Sequence, residues 1–361
     1  MAGMCLAVRA AAQGHTVTLL EAHDEPGGQA RPHHLLGATW DLGPTWVTLP
    51  APFRDLFLST GRPLEDYVEL TDADEAATFH WLDGRVLALP GVGVARTTRA
   101  ITDALGQAAG GQWRDLLDVG NRVWGAAHAS SVPRISARTA LRIVTNPALR
   151  QVVTWRTAPW STLGSAVLPY LDATFGVHHV RGGIHCLATA VAQRCHELGV
   201  QVRTGTRVTA ITGVTRVEGI TLAGGEHVAC DIAVRTGPAR QRPTFTVAGA
   251  GLLRPSSARH TVWLAGDTEV YTHVPELGLA DGADVRWMLR SRDAGAVNVL
   301  REMWGINLQA DVVMAAMAGD KPTWPKRRAI RGVVDLPTDA SPALALAAMA
   351  AHRVAVAIGP A

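Results

Sequence analysis

The chain has 361 residues, 47% of them apolar, and a formal net charge of +3. It is too long for one ordinary core and too apolar for a disordered protein. Its 34 basic and 31 acidic residues form no sustained Lys/Arg stripe, which argues against a nucleic-acid-binding face.

Four cysteines, Cys5, Cys186, Cys195 and Cys230, make no CxxC pair, so no metal site is expected and reduced thiols are. No secretory signal opens the chain. The best apolar run, Ala343 to Gly359, is broken by His352 and Arg353, too short for a bilayer span. A cytoplasmic protein, either soluble or peripheral on the surface of the cytoplasmic membrane, is expected. The one basic cluster, Lys321, Lys326, Arg327, Arg328 and Arg331, reads as a solvated loop, with contact to anionic lipid as the alternative.

The first expected element is a helix from Gly3 to Gln13, stopped by Gly14. Thr16 to Leu20 follows as a short buried strand ending at Glu21. After the turn-rich HDEPGGQARP, two short strands around His34 and Trp40 pair as a hairpin before Gly43-Pro44. From about 50 to 180 the pattern is mostly helical and rich in Trp, with a hairpin at 79–89 turning on Asp83-Gly84. A helix over Ile184 to Leu198 is capped by Gly199, and strands follow around 200–203, 207–211, 216–222 and 231–234. The Gly, Pro and Ser density of 236–259 reads as a linker. Ser341-Pro342 starts a last helix.

The strongest chemical signal is the order helix, Gly14, strand, Glu21, Gly27-Gly28. In a dinucleotide-binding βαβ unit an acidic residue ends the second strand, about 20 residues after the glycine fingerprint, and accepts from the ribose hydroxyls. The spacing makes Gly3 the last glycine of that fingerprint and places the first strand and first glycines upstream of Met1. Gly27-Gly28-Gln29 can bring backbone close to a phosphate. The Asp41-Leu42-Gly43-Pro44-Thr45 turn can set amides against a flat ring. The pairs His33-His34 and His178-His179 point to opposite strand faces and suit no shared metal. The eleven tryptophans, among them Trp40, Trp46, Trp155 and Trp160, suit core packing or an apolar tunnel.

These residues resemble the bacterial and fungal carotenoid desaturases, the phytoene-desaturase group of the flavin amine-oxidase superfamily. The resemblance lies in AVRAAAQGHTVTLLEAHDEPGGQARP, DLGPTWVTLPAPFRDLF, TGRPLEDYVEL and FGVHHVRGGIHCLATAVAQRCHELGVQVRTGTRVTAITG. It covers 1–70 and 150–235 well and the middle loosely. It implies an α/β fold: a Rossmann-like FAD-binding domain, incomplete at its N-terminus, with an inserted, mostly helical substrate or lid region and a mixed sheet. The corresponding division is 1–70 and 181–238 for the FAD-binding segments, 71–180 for the lid, and 239–361 for a substrate lobe and C-terminal region.

By the resemblance, FAD is the cofactor. Gly3 would belong to the fingerprint and Glu21 would bind the ribose. Gly27, Gly28 and Gln29 would follow the pyrophosphate and ribityl chain, Gly43, Pro44 and Thr45 would lie near the isoalloxazine, and Val208 would meet adenine through its backbone. Gly182 and Gly183 would open a helix, a role in the fold. The substrate would be a lipophilic polyene, desaturated by hydride transfer to flavin. Two departures stand out: Gln29 occupies a position where the family carries Arg, and VWLAGD at 262–267 lacks the helix start that closes such flavin sites. Asp267 is therefore expected in a strand of the substrate lobe. No catalytic acid or base is nominated. Competing expectations are another member of the superfamily, such as a carotenoid isomerase, and a degenerate homologue that binds no flavin.

Overall fold

A computed structural model describes residues 1–35, 38–41, 43–128, 142–155, 164–236, 244–251, 260–265, 268–273, 285–291, 298, 302, 312–316, 333–336 and 344–361. The readings at Leu42, Trp160, Asp267, the basic cluster and Ser341-Pro342 lie outside these residues.

In chain order the elements begin with α1 (Ala2–Ala12), β1 (Thr18–Leu20), β2 (His33–Leu35), β3 (Ala38–Trp40), β4 (Val47–Thr48), α2 (Ala51–Leu58) and β5 (Leu70–Asp72). Then come β6 (Glu75–Trp81), β7 (Val86–Pro90), α3 (Val94–Leu105), α4 (Gln107–His128), α5 (Pro147–Thr154), α6 (Gly164–Phe175) and β8 (Val177–Val180). Next are α7 (Ile184–Glu197), β9 (Gln201–Arg203), β10 (Val208–Thr212), β11 (Gly219–Leu222), β12 (His227–Ala229) and β13 (Ala233–Thr236). The chain continues through β14 (Thr244–Gly251), β15 (His260–Ala265), β16 (Thr268–His273), β17 (Val285–Ser291), β18 (Val312–Ala316), β19 (Val333–Leu336) and α8 (Leu344–Ile358).

Two units divide the chain. The first comprises Met1–Leu70, Gly183–Ala239 and Gly319–Ala361; the second comprises Thr71–Gly182 and Arg240–Ala318.

In the first unit α1 is apolar almost all round, and Met4, Cys5, Leu6, Ala7 and Val8 are buried. A helix with no polar face must be covered on every side, and α1 packs against α7, α8, α2, β1 and β13. Each large aliphatic side chain so buried contributes about 1.5–3 kcal/mol. Gly14 stops the helix with φ +96°. β1 pairs in parallel with β9, Thr18 opposite Gln201 and Leu20 opposite Arg203. β13 pairs in parallel with β19. The expected hairpin forms between β2 and β3, with His33 opposite Trp40. β10, β11 and β12 make an antiparallel meander with a register shift between Val208 and Ala210.

Two buried guanidinium groups brace this unit. Arg9 donates to Asp55 Oδ2 at 2.5 Å and Ser59 Oγ at 3.3 Å, tying α1 to α2. Arg194 donates to Glu197 Oε2 at 2.7 Å and to the Thr60 carbonyl oxygen, tying α7 to the end of α2.

The second unit centres on a seven-stranded mixed sheet in the order β18-β14-β17-β16-β15-β6-β7, antiparallel throughout except where β15 runs parallel to β6. The expected hairpin at 79–89 is β6–β7, and Gly84 supplies φ +84° at its turn. The linker expected over 236–259 is corrected: β14 lies inside that stretch and is paired on both sides, with β17 and β18. Its Gly249 and Gly251 suggested a loop. The ladder partners that make it a strand arrive more than thirty residues later, beyond the reach of local composition. Residues 260–265 form β15, a strand of this unit as expected. Four strands, β5 to β8, also interrupt the helical pattern of 71–180, whose described helices are α3 to α6.

Candidate functional site

The first unit carries three segments of the expected site, the Glu21 strand end beside β9 and two glycine-bearing turns that adjoin the start of α7. Glu21 follows the last residue of β1. Its amide donates to the Arg203 carbonyl at 3.0 Å, which continues the parallel ladder one step, and its own carbonyl accepts from Thr206 N at 2.8 Å. The half-buried carboxylate accepts from His23 N at 3.0 Å, one bond for a group with room for several. Thr206 also leads into β10, so Val208 starts a strand next to the Glu21 turn.

The second segment is the turn before a short 3-10 helix at Gly28–Ala30. Gly27 has φ +131° and Gly28 φ +62°, backbone that L side chains rarely adopt. A Cβ on Gly27 would meet Ala188 Cβ at 3.3 Å, which puts this turn against the second turn of α7. On the other side, the Gly27 carbonyl accepts from Met1 N at 3.0 Å. The N-terminal end of α1, with its unpaired first-turn amides and positive dipole, therefore adjoins the twin-glycine turn. Helix N-terminal amides and a positive-φ glycine turn are both backbone features that favour an anion.

The third segment is the turn after β3. A Cβ on Gly43 would run into the Gln29 carbonyl oxygen, so this position has no space for a side chain. Gly43, Pro44 and Thr45 are half-buried, and Gly43 is packed against Gln29 of the Gly28–Ala30 turn. Gln29 is half-buried and carries no charge, so Arg31 is the nearest guanidinium in sequence; its Nη1 reaches the Gly28 carbonyl at 3.5 Å.

Gly3, expected among the cofactor-binding residues, is placed between strands. A Cβ there would meet Thr236 Cγ2 of β13 at 3.2 Å and Leu19 Cδ1 of β1 at 3.6 Å. It permits close helix–strand packing, the part assigned to the third glycine of a dinucleotide fingerprint.

Sequence reasoning gave Asp41 no role of its own. Its carboxylate is 5% exposed and accepts three hydrogen bonds: Ile184 N at 2.7 Å, His185 N at 2.9 Å and His185 Nδ1 at 2.9 Å. Asp41 thus caps α7 across 143 residues of sequence. Gly183, φ +112°, is the price of that approach, since a Cβ there would lie 2.5 Å from Asp41 Oδ2. Gly182, φ +81°, turns the chain just before it. The one sequence signal available was an acidic residue buried at a strand end in DLGPT.

A carboxylate accepts only, so His185 Nδ1 carries the proton of this bond. His185 and Ala188 share a face of α7, and Ala188 abuts Gly27. The imidazole itself lies against Asp41 and Gly183. His33 is close by: burial holds its pKa below the usual range, Arg31 adds to this, and Asp41 opposes it. Burial also pushes the Cys186 thiol up, and the Asp41 charge reinforces that.

In the second unit, Trp113, Trp155, Leu89, Val152 and Leu168 line an apolar pocket whose polar members are Thr97 and Asp172. Trp40 and Trp46 are core residues of the first unit, 3% and 5% exposed. Among the described residues no helix is long and apolar enough to cross a membrane.

Comparison with known proteins adds the following. The family profile described as flavin containing amine oxidoreductase matches residues 1–143 and 161–262, more than half of the chain. The hydroxyneurosporene desaturase of Cereibacter sphaeroides is 28% identical over 271 residues, covering 66% of this chain and 54% of that protein. The zeta-carotene-forming phytoene desaturase of Myxococcus xanthus is 30% identical over 263 residues, covering 63% and 50%. The chain spans about half the length of the curated relatives it matches. Among solved structures, an oxidoreductase from Methanosarcina mazei superposes with a TM-score of 0.69 at 13% identity, covering 98% of this chain and 97% of that one. Putrescine oxidase bound to putrescine gives 0.64 at 13% identity, covering 99% and 97%. At such identities the structural likeness speaks for the fold.

Proposed function

Because the chain belongs to the flavin-containing amine oxidoreductase family, with FAD as its cofactor, we propose that it desaturates an acyclic carotenoid of the phytoene or the hydroxy- or methoxy-carotenoid kind. The observation that carries the flavin part is the meeting of α1's N-terminal end, the Gly27-Gly28 turn and the Glu21 strand end within one unit. The carotenoid part is supported by relatives that are themselves desaturases of carotenoids.

When bound, FAD supplies the two-electron oxidation. Glu21 holds the ribose hydroxyls by accepting their hydrogen bonds. The first-turn amides of α1 and the backbone of Gly27 and Gly28 take the pyrophosphate. With Gln29 neutral, that contact rests on backbone dipoles and lacks a charge-assisted bond from this position. Gly43, Pro44 and Thr45 bring backbone up to the ring, and Val208 offers its backbone to adenine.

The test is to purify the chain, record the visible absorption of bound flavin, and then analyse products after incubation with acyclic carotenoids. Bound flavin and a product with one more conjugated double bond are expected. Absence of flavin would favour a degenerate homologue and sink the reading. Flavin with oxidation of a different substrate class would keep the family and overturn the substrate.

A further inference from the structure

We infer that Asp41 is a positioning residue for the flavin: acting through α7, it holds the Gly27-Gly28 turn and the Gly43 turn in one arrangement. The inference rests on the flavin reading above and concerns the same site.

Segments far apart in sequence meet through this one carboxylate. Its Oδ2 accepts from Ile184 N at 2.7 Å, and its Oδ1 accepts from His185 N and His185 Nδ1, both at 2.9 Å. The clearance is small, since a Cβ on Gly183 would lie 2.5 Å from Oδ2. One turn further along α7, Ala188 is buried, and a Cβ on Gly27 would meet its Cβ at 3.3 Å. The seat of α7 therefore sets how closely the twin-glycine turn approaches. That turn runs into Gln29, whose carbonyl oxygen occupies the space a Cβ on Gly43 would need. Gly43 in turn stands two residues after Asp41. The contacts close a circuit from Asp41 through α7, Gly27, Gln29 and Gly43 back to Asp41.

Every link in this circuit except the carboxylate is backbone or a methyl group. Close-packed contacts of that kind pass a shift on to their neighbours. Only the carboxylate bonds give the circuit direction, because a hydrogen bond weakens steeply away from its preferred angle. Glu21 and Val208 stand outside the circuit. They are held by the β1–β9 ladder, with Glu21 N donating to the Arg203 carbonyl and Thr206 N to the Glu21 carbonyl. Asp41 thus governs the turns assigned to the pyrophosphate, ribityl chain and ring.

Coupling between two parts of a protein is reciprocal and commonly reaches about fivefold or more. FAD should therefore slow hydrogen exchange over Ile184 to Ala188 in the parent chain by about fivefold or more. Asp41→Ala should weaken FAD binding by at least the same factor, with Asp41→Asn between it and the parent. The control for stability alone is Leu64→Ala, a core truncation at a side chain 1% exposed in the turn that packs on α2. It should bind FAD within about twofold of the parent, below the usual range of coupling. FAD without effect on exchange at the start of α7 overturns the inference. So does Asp41→Ala with parent-like affinity, or Leu64→Ala losing as much as Asp41→Ala. Should Asp41→Ala fail to fold, Asp41→Asn and the exchange of the parent decide by the same criteria. In each of these cases FAD bound to the parent leaves the flavin reading standing. If the parent binds no FAD, that reading falls and the inference with it.

Discussion

Replacing Asp41 by Ala removes the acceptor of three hydrogen bonds at a side chain only 5% exposed. The Ile184 amide is buried and the His185 amide half-buried, so neither can turn fully to water. Loss of a helix cap costs about 0.5–2 kcal/mol, and a buried donor left without a partner costs about 1–3 kcal/mol. These overlap, because the cap is one of the bonds, and together they amount to about 3 kcal/mol. At 1.4 kcal/mol per factor of ten, local opening of the first turn of α7 becomes roughly a hundredfold more frequent. Asp41→Asn keeps one amide acceptor and loses the charge–dipole attraction, about 0.3–1 kcal/mol, so it should fall between the parent and the alanine variant. Hydrogen exchange followed by mass spectrometry on peptides covering Ile184 to Ala188 reads this directly and is indifferent to whether the two units unfold together. Exchange within threefold of the parent in Asp41→Ala would refute the claim that this carboxylate holds the helix start.

Gly43→Ala should destabilise the first unit by about 1–3 kcal/mol or more, because its Cβ runs into the Gln29 carbonyl; Gly111→Ala in α4, with nothing within 4 Å, should instead stabilise by about 0.5–1 kcal/mol, and paired urea titrations compare them. His80, stacked on Trp263 at 4.5 Å between ring centroids, has its pKa lowered by burial. Its contribution is therefore complete above the unfolded value of 6.5 and is lost as pH falls from there through the folded value; His80→Phe should flatten that acid-side loss in thermal melts, and an unchanged profile would remove His80 as its cause. Burial pushes the Cys5 thiol to about 11 and Cys195 to about 12, and both are fully buried; alkylation of the native chain should modify Cys186 and Cys230 first, with Cys5 and Cys195 reacting only on unfolding, as mass spectrometry would show.

Much of the first unit was legible in order along the chain because its signals are local. An Ala- and Leu-rich run stopped by Gly14, a β-branched strand ending in an acid, a twin glycine and the β2–β3 hairpin each declare themselves within a dozen residues. The same locality explains the error at β14. Its strand character comes from β17 and β18, and its glycines read as a loop when those neighbours are out of view. Family resemblance carried Glu21, Gly27, Gly28, Gln29, Gly43, Pro44, Thr45 and Val208 as site residues, yet it passed over Asp41 and His185. A strand-end acid and a helix-start histidine 144 residues apart have no sequence periodicity to join them.

By itself, then, the sequence determined the elements whose hydrogen bonds close within one helix or one hairpin, and the conformations that only glycine can adopt. Tertiary structure alone decided which strands became neighbours, that Gly3 serves packing between β1 and β13, and that Asp41 reaches α7. The physical reason is that a carboxylate or a strand edge is satisfied by whatever donor arrives in space, and that partner is chosen by the burial of the whole unit.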